Sequence, residues 1–301
     1  MNDTYKRKVE LLLRILPFVT DEECFAIHGG TAINLFLNNL PRLSIDIDVT
    51  YIPLEEREAS ISKVNDALKR ISQRVTRQFK DIRVIPRYDI CKITCESRGC
   101  QVKIEVNKTK RGLIGGEAKI YPLCEKASEL FGVEVDARIV SIPQLYGGKI
   151  AAALSRQHPR DLFDVNQMKY TLDEIKEGII FNLLGSDRPI FESFEPNLID
   201  QRNTMENQFV GMTDIPFDYN QFENTRDKLI SDVKNLMDRE DKEFLISFEE
   251  NKANWDEYSY GNLKEYPSVT WKMRNLENLE RLNPSKLIYG ANRLREIFDI
   301  K

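Results

Sequence analysis

Two aspartates in a strongly alternating segment are the residues here most able to do chemistry. Ser44-Ile45-Asp46-Ile47-Asp48-Val49 alternates strictly, as a half-buried strand does. Successive side chains on a strand point to opposite faces, so Ile45, Ile47 and Val49 would face a core while Asp46 and Asp48 project together. Two like charges so close repel unless a cation lies between them, and aspartate is disfavoured in strands to begin with. Such a pair suits Mg²⁺, which takes oxygen ligands and keeps substrate phosphates among them. Val102-Lys103-Ile104-Glu105-Val106-Asn107 repeats the alternation and sets Glu105 on a polar face with Lys103 and Asn107. If the two strands are neighbours, Glu105 joins Asp46 and Asp48. Three carboxylates can hold two Mg²⁺ ions about 4 Å apart for in-line displacement at phosphorus.

A third feature is His28-Gly29-Gly30-Thr31, where an apolar run ends in two glycines and a helix begins. Glycines let backbone approach a ligand, and free N–H groups at a helix start attract phosphate. The Thr31 hydroxyl can cap the helix or donate to a phosphate oxygen. No P-loop is present: Gly147-Gly148-Lys149 is followed by Ile150 where Ser or Thr is needed.

The order of these features carries more than any one of them. A glycine pair ending a strand, a helix, a strand with Asp-x-Asp and a later strand with a lone acid resemble the nucleotidyltransferase superfold of DNA polymerase β type. The match covers residues 25–52 and 101–107. Arg42-Leu43-Ser44-Ile45-Asp46-Ile47-Asp48 also resembles the Arg-x-Ser-x-Asp-x-Asp motif of the AbiEii-type nucleotidyltransferases. The stretch from Leu145 to Val165 is similar to that family's Lys-x-x-Ala…Arg…Arg-Asp-x-x-Asp block, through Lys149, Arg156, Arg160, Asp161 and Asp164. These proteins are the toxin components of AbiE phage-defence systems, with the related MenT toxins beside them.

The resemblance implies roles residue by residue. Gly29, Gly30, Thr31 and Ser44 would surround the triphosphate of an NTP. Asp46, Asp48 and Glu105 would hold Mg²⁺, as a two-ion site. Lys149 would pair with phosphates as a point charge, and Arg156 and Arg160 would offer a second anion contact. Asp161 or Asp164 would be the late essential acid, orienting Lys149 or activating the attacking hydroxyl; three residues apart, the two share a helix face. Read without the family, the turn from Arg156 to Asp164 is an ordinary salt-bridged helix surface. The implied reaction transfers NMP from an NTP to an RNA acceptor, the tRNA 3′ end among the candidates. The implied partner is an antitoxin encoded beside the toxin.

These residues need elements to position them. Tyr5–Leu16 has helical apolar spacing and Phe25–His28 is a short apolar run. Thr31–Leu40 reads as a helix stopped by Pro41, Ser44–Ile52 as a strand and Glu55–Lys80 as a long amphipathic helix. The segment 82–107 holds two or three strands with Pro86 and Gly99 at turns, and an extended piece follows at Ala118–Tyr121. From Pro143 the pattern is helical: Gln144–Gln157, a helix opened by Pro159, then Phe222–Met237, Lys242–Glu250, Trp271–Leu282 and Pro284–Phe298. No strand is expected after Tyr170, and Trp255, Tyr258, Tyr260 and Trp271 are expected in the helical core. The expected fold class is α+β. Residues 1–140 would form a nucleotidyltransferase core with a mixed sheet, and 141–301 a helical domain contributing Lys149 and Asp161 or Asp164 to the site.

Composition narrows the alternatives. The 301 residues are 41 % hydrophobic and 31 % charged, with 44 Lys+Arg against 48 Asp+Glu, a globular balance. Apolar runs fall short of a membrane span, and the start has no signal-peptide order. The odd set Cys24, Cys91, Cys95, Cys100 and Cys124 suits a reduced, cytoplasmic protein, and Cys91-x3-Cys95-x4-Cys100 lacks a fourth ligand at zinc spacing. His28 reads as a packed strand end and His158 as a loop residue. The net charge of −4 hides an asymmetry: 14 Lys+Arg against 5 Asp+Glu between Ala59 and Gly112, and 9 against 21 between Thr171 and Tyr260. The basic stretch 59–112 would give an RNA backbone its footprint. Other readings are a transferase acting on a protein or small molecule, or an RNA-binding or regulatory protein on a decayed site.

Overall fold

Buried leucines and valines at helical spacing start the chain. Helix α1 (Asp3–Thr20) shields Val9, Leu12, Leu13, Leu16 and Val19 completely or nearly so. The expected stop before Pro17 does not occur. Burial of Val19 carries the helix one further turn, and Asp21 N–H closes it by donating to the Pro17 carbonyl. In this computed structural model, which describes residues 1–300, the chain forms two units. The first comprises residues 1–141 and 207–216; the second comprises residues 142–206 and those from 217 onward.

In the first unit, β1 (Phe25–His28) runs into the short turn α2 (Gly29–Thr31) and then a π-helix, Ala32–Leu37. An α-helix to Leu40 was the expectation. Instead the Asn34 side chain donates to the Gly30 carbonyl at 2.9 Å, and Asn38 N–H reaches back five residues to Ile33. A side chain competing for a helical carbonyl widens the coil in this way. There follow β2 (Ile47–Tyr51), α3 (Arg57–Gln78), β3 (Arg83–Arg87), β4 (Lys92–Ser97), β5 (Cys100–Val106), β6 (Lys119–Pro122), α4 (Glu125–Phe131) and β7 (Asp136–Ile139). The seven strands form one mixed sheet in the order β3-β4-β5-β2-β1-β7-β6. β2 pairs antiparallel with β1 and parallel with β5, so the strand bearing Asp48 is central and lies beside the strand bearing Glu105.

Three details differ from the expected elements. β2 begins at Ile47, so Asp46 falls just outside the strand and Ile45 is half-buried rather than in the core. Pro86 lies inside β3 rather than at a turn, which an edge strand tolerates because its outer N–H positions need no partner. The segment 207–216 returns to this unit, where Leu43 N–H donates to Met212 O (2.8 Å) and Thr213 Oγ1 to Pro41 O (2.7 Å). Those bonds fix the loop that leads to Ser44 and Asp46.

The described residues of the second unit form helices and no strand. In chain order they are α5 (Ile142–Arg156), α6 (Pro159–Asn166), α7 (Lys176–Leu184), α8 (Phe191–Phe194), α9 (Arg202–Gln208), α10 (Tyr219–Leu236), α11 (Arg239–Glu249), α12 (Pro267–Leu282) and α13 (Pro284–Phe298). The last two residues of α9 open the 207–216 segment. α5 and α7 cross at two glycines. A Cβ on Gly147 would lie 2.2 Å from the Gly178 carbonyl carbon, and one on Gly178 would lie 1.8 Å from Pro143 O. Trp255 and Tyr258 are buried against Phe244, whose ring stacks on Tyr258 at 3.6 Å, and Tyr260 is half-buried. Trp271 does not join that core: it is 49 % exposed on α12.

Candidate active site

The Gly29–Gly30 turn is built to sit under Asp48. His28 ends β1 directly across from Asp48. Gly29 adopts φ +70°, and a Cβ there would stand 2.5 Å from Asp48 Oδ2. A Cβ on Gly30 would stand 2.7 Å from the Arg42 guanidinium and 3.0 Å from Ser44 Oγ. Any larger residue would push the carboxylate or the arginine away, so the pair is needed for closeness as well as for backbone conformation.

Thr31 turns inward. It is fully buried, and its hydroxyl donates to the Asp46 carbonyl at 2.5 Å, with Ser44 Oγ 3.1 Å away. Thr31 makes no side-chain cap bond at the head of the π-helix, and its hydroxyl ties down the backbone that carries Asp46. Arg42 is also buried and donates to the Leu43 carbonyl at 2.9 Å. The segment 42–46 is therefore held by the turn that follows β1 and by the 207–216 segment.

Asp46 and Asp48 are half-buried. Glu105 lies directly across from Asp48 in the parallel β2–β5 register. It forms an ion pair with Lys92 of β4. Among the described residues, no group of three His, Cys, Asp or Glu side chains is gathered to hold a metal ion. Oxygen donors from Asp46 and Asp48 fit a hard cation such as Mg²⁺, which binds through one or two carboxylates plus substrate phosphates rather than in an all-protein cage.

The second unit, taken by itself, holds a buried charge cluster. Lys149 of α5 sits 3.0 Å from Asp161 Oδ1 and 2.9 Å from Asp164 Oδ2, both on α6, and all three residues are buried. Arg156 holds Asp161 with two bonds, 2.6 Å from Nε to Oδ2 and 3.0 Å from Nη2 to Oδ1. Burial pushes the Asp161 carboxyl up, but the charge of Lys149 and the bonds of Arg156 outweigh it and hold the group below the ordinary carboxylate range. Arg160 is half-buried in the first turn of α6. His158 caps that helix, its Nδ1 accepting from Arg160 N–H at 3.1 Å, with Pro159 in the first turn.

The elbow between α5 and α6 holds a residue that sequence reasoning missed. Gln157 adopts φ +49° and is buried. Its amide donates to Asn197 O (2.8 Å) and accepts from Ile199 N–H (3.0 Å), while Gln201 donates to Arg156 O (2.9 Å). An irregular segment some forty residues onward thus sets the angle at which Asp161 meets Lys149. The partner of Gln157 could not be read from its own neighbourhood.

The basic stretch is more neutralised than its composition suggests. Of its 14 Lys and Arg, at least six form ion pairs: Lys63–Glu55, Lys69–Asp66, Arg70–Glu22, Arg74–Asp21, Arg87–Asp89 and Lys92–Glu105. Among the described residues no helix is long and apolar enough to cross a membrane.

Comparison with known proteins agrees with this architecture. The chain aligns over 89 % of its length, and 90 % of the other, with MenT4, a nucleotidyltransferase toxin from Mycobacterium tuberculosis H37Rv, at TM-score 0.58 and 12 % identity. At that identity the likeness concerns the fold. No curated protein sequence matches significantly. The family model for the nucleotidyl transferase AbiEii toxin of type IV toxin–antitoxin systems matches residues 10–275, taking in every element described above that carries a candidate residue. The chain belongs to the AbiEii nucleotidyltransferase toxin family.

Proposed function

We propose that the chain transfers NMP from an NTP to an RNA hydroxyl in a Mg²⁺-dependent reaction, with the tRNA 3′ end a candidate acceptor. The observation that carries this reading is the Gly29–Gly30 turn packed under Asp48, with Thr31 fixing Asp46 two residues away. The acceptor hydroxyl gives up its proton to water, its oxygen bonds to the α-phosphorus, the α–β bridging P–O bond breaks, and pyrophosphate leaves. A bound Mg²⁺ would neutralise charge on the phosphates and make the attacking hydroxyl more acidic. Asp46 and Asp48 would hold that ion. Gly29 and Gly30 offer backbone N–H groups to the triphosphate, and Ser44 stands beside them. Thr31 acts by keeping Asp46 in place.

Lys149 is assigned the phosphate-neutralising ammonium, with Arg156 and Arg160 as flanking cations. Asp161 and Asp164 are assigned to orienting Lys149 rather than to taking the hydroxyl proton. Both oxygens of Asp161 already accept bonds from Lys149 and Arg156, which leaves little basicity for proton transfer. Glu105 is assigned to Lys92 in place of the metal, so two carboxylates do the ligation. A cognate antitoxin and a cytoplasmic setting complete the reading.

Incubation of the protein with Mg²⁺, total RNA, and each α-³²P-NTP in turn tests it. The expected result is label on a discrete RNA band, lost when Mg²⁺ is chelated. Label on protein or on a small molecule would replace the RNA acceptor. The six neutralised cations of the basic stretch are the observation that keeps that second outcome in view.

A further inference from the structure

The sheet of the first unit has two unequal faces. α1 and α3 pack against β3, β4 and β5, where Ile93, Cys95, Val102 and Ile104 are fully shielded. The other face is the one that carries Asp48, and the strand register extends it outward. Asp48 lies opposite Glu105, Glu105 opposite Lys92, and Lys92 opposite Arg87, a row of four across β2, β5, β4 and β3. Residues directly opposite share a face. At about 4.8 Å between strands, the row runs roughly 14 Å from Asp48 to the sheet edge. On the same face, Lys103 lies two residues from Glu105 on β5, and Arg83 lies four residues from Arg87 on β3, opposite Glu96 of β4. Because β5 is parallel to β2, Lys103 lies toward the Asp46 end.

This face is acidic at β2 and basic at β3, and the strands between carry both signs, Glu105 and Lys103 on β5 and Glu96 and Lys92 on β4. Arg83 and Arg87 are exposed, and Lys92 and Lys103 are half-buried. Among the described residues neither Arg83 nor Lys103 has a carboxylate within ion-pair distance. Glu105 fixes Lys92 upright on the face, and the exposed Arg87–Asp89 pair is weak enough for a phosphate to share the guanidinium. Between the cations lie Ile85 and Thr94, with no aromatic ring for base stacking. Cations without stacking rings read a backbone and not bases.

We propose that the open face of β3, β4 and β5 is the platform on which the RNA acceptor lies, its phosphates meeting Arg83, Arg87, Lys92 and Lys103 and its reacting hydroxyl arriving at Asp46 and Asp48. The proposal rests on the RNA-acceptor reading and adds where the strand runs. It makes docking dependent on salt and indifferent to sequence along this stretch.

The test uses the full chain and the double variant Arg83→Glu, Arg87→Glu, both edge-strand positions with exposed side chains. Binding of a fluorescently labelled single-stranded RNA is followed by anisotropy over a salt series, and NTP affinity is measured separately. The variant is expected to bind RNA at least about tenfold more weakly at low salt. Its slope of log affinity against log salt should be shallower by about 1.4, or ~0.7 for each lost phosphate contact. NTP affinity should be unchanged, and Arg83→Lys, Arg87→Lys should bind RNA as the wild type does. An unchanged RNA affinity and slope in the charge-reversed variant would overturn the proposal, as would an absence of salt-dependent RNA binding by the wild type. Label transfer separates the two readings. RNA bound through this face but never labelled upholds the platform and refutes the acceptor; RNA labelled equally well by variant and wild type at sub-saturating RNA refutes the platform alone.

Discussion

Asp161 stays charged with almost no water around it. Burial alone would raise its pKa. Lys149 at 3.0 Å and the two bonds from Arg156 reverse the sign and hold it below the ordinary range. Arg156 is 61 % exposed, so its share is screened and Lys149 carries more of the effect. A carboxyl whose folded pKa is depressed contributes stability that is complete above its unfolded value, near 3.9, and that is lost as pH falls through the folded value. Removing one partner of a buried ion pair is costly. Asp161→Asn should therefore lower stability at pH 7 by about 3 kcal/mol. The gap to wild type should narrow as pH falls below about 4, where the unfolded wild-type carboxyl becomes protonated. Urea unfolding at pH 7 and at pH 3 measures it, and a gap that does not change with pH would show that Asp161 is not held as an ion.

How well each element could be read from the sequence depended on whether its reason is local. Alternation gave β2 and β5, because one face of each is shielded by residues such as Ile47, Val49, Ile104 and Val106. Helical spacing gave α1, α3 and α5 and the four longest later helices. The π-helix at Ala32–Leu37 was hidden because Asn34 chooses its own Gly30 carbonyl, a competition no periodicity records. β7 has only four residues and is recognisable as a strand by its pairing with β6 and β1. The glycine pair under Asp48 could be read as a motif, but its reason, the closeness of Asp48 and Arg42, could not. Gly147 belongs to no phosphate loop, as Ile150 already indicates, and the reason for it lies elsewhere in the chain. It is half of a helix crossing whose other half, Gly178, lies on α7. This crossing gives a prediction in which two effects oppose. Ala is favoured over Gly in a helix by about 1 kcal/mol. A Cβ on Gly178 would stand 1.8 Å from Pro143 O, so α5 and α7 must separate. Overpacking of backbone against backbone should win, and Gly178→Ala should destabilise the protein by about 1–3 kcal/mol. A raised urea midpoint would mean that the helices part at no cost.

Charge is distributed unevenly along the chain, and the structure changes its meaning. The excess of 9 positive charges between Ala59 and Gly112 is partly answered by Asp21 and Glu22, which lie outside the stretch in sequence but pair with Arg74 and Arg70. Two of the cations outside these pairs, Arg83 and Lys103, share one face of the sheet with the paired Arg87 and Lys92. Membership of the AbiEii family makes the molecule a nucleotidyltransferase toxin of a type IV system, and the first unit contains the turn and the aspartates through which that chemistry would run. The most direct test compares initial rates of α-³²P-NTP transfer for the wild type and Asp48→Asn, after matched urea midpoints show that both are folded. Loss of one preorganised charge at a reacting phosphate should slow transfer by about 10²–10³-fold or more. A variant that transfers label within a few-fold of the wild-type rate would contradict the assignment of Asp46 and Asp48 as the centre of the reaction.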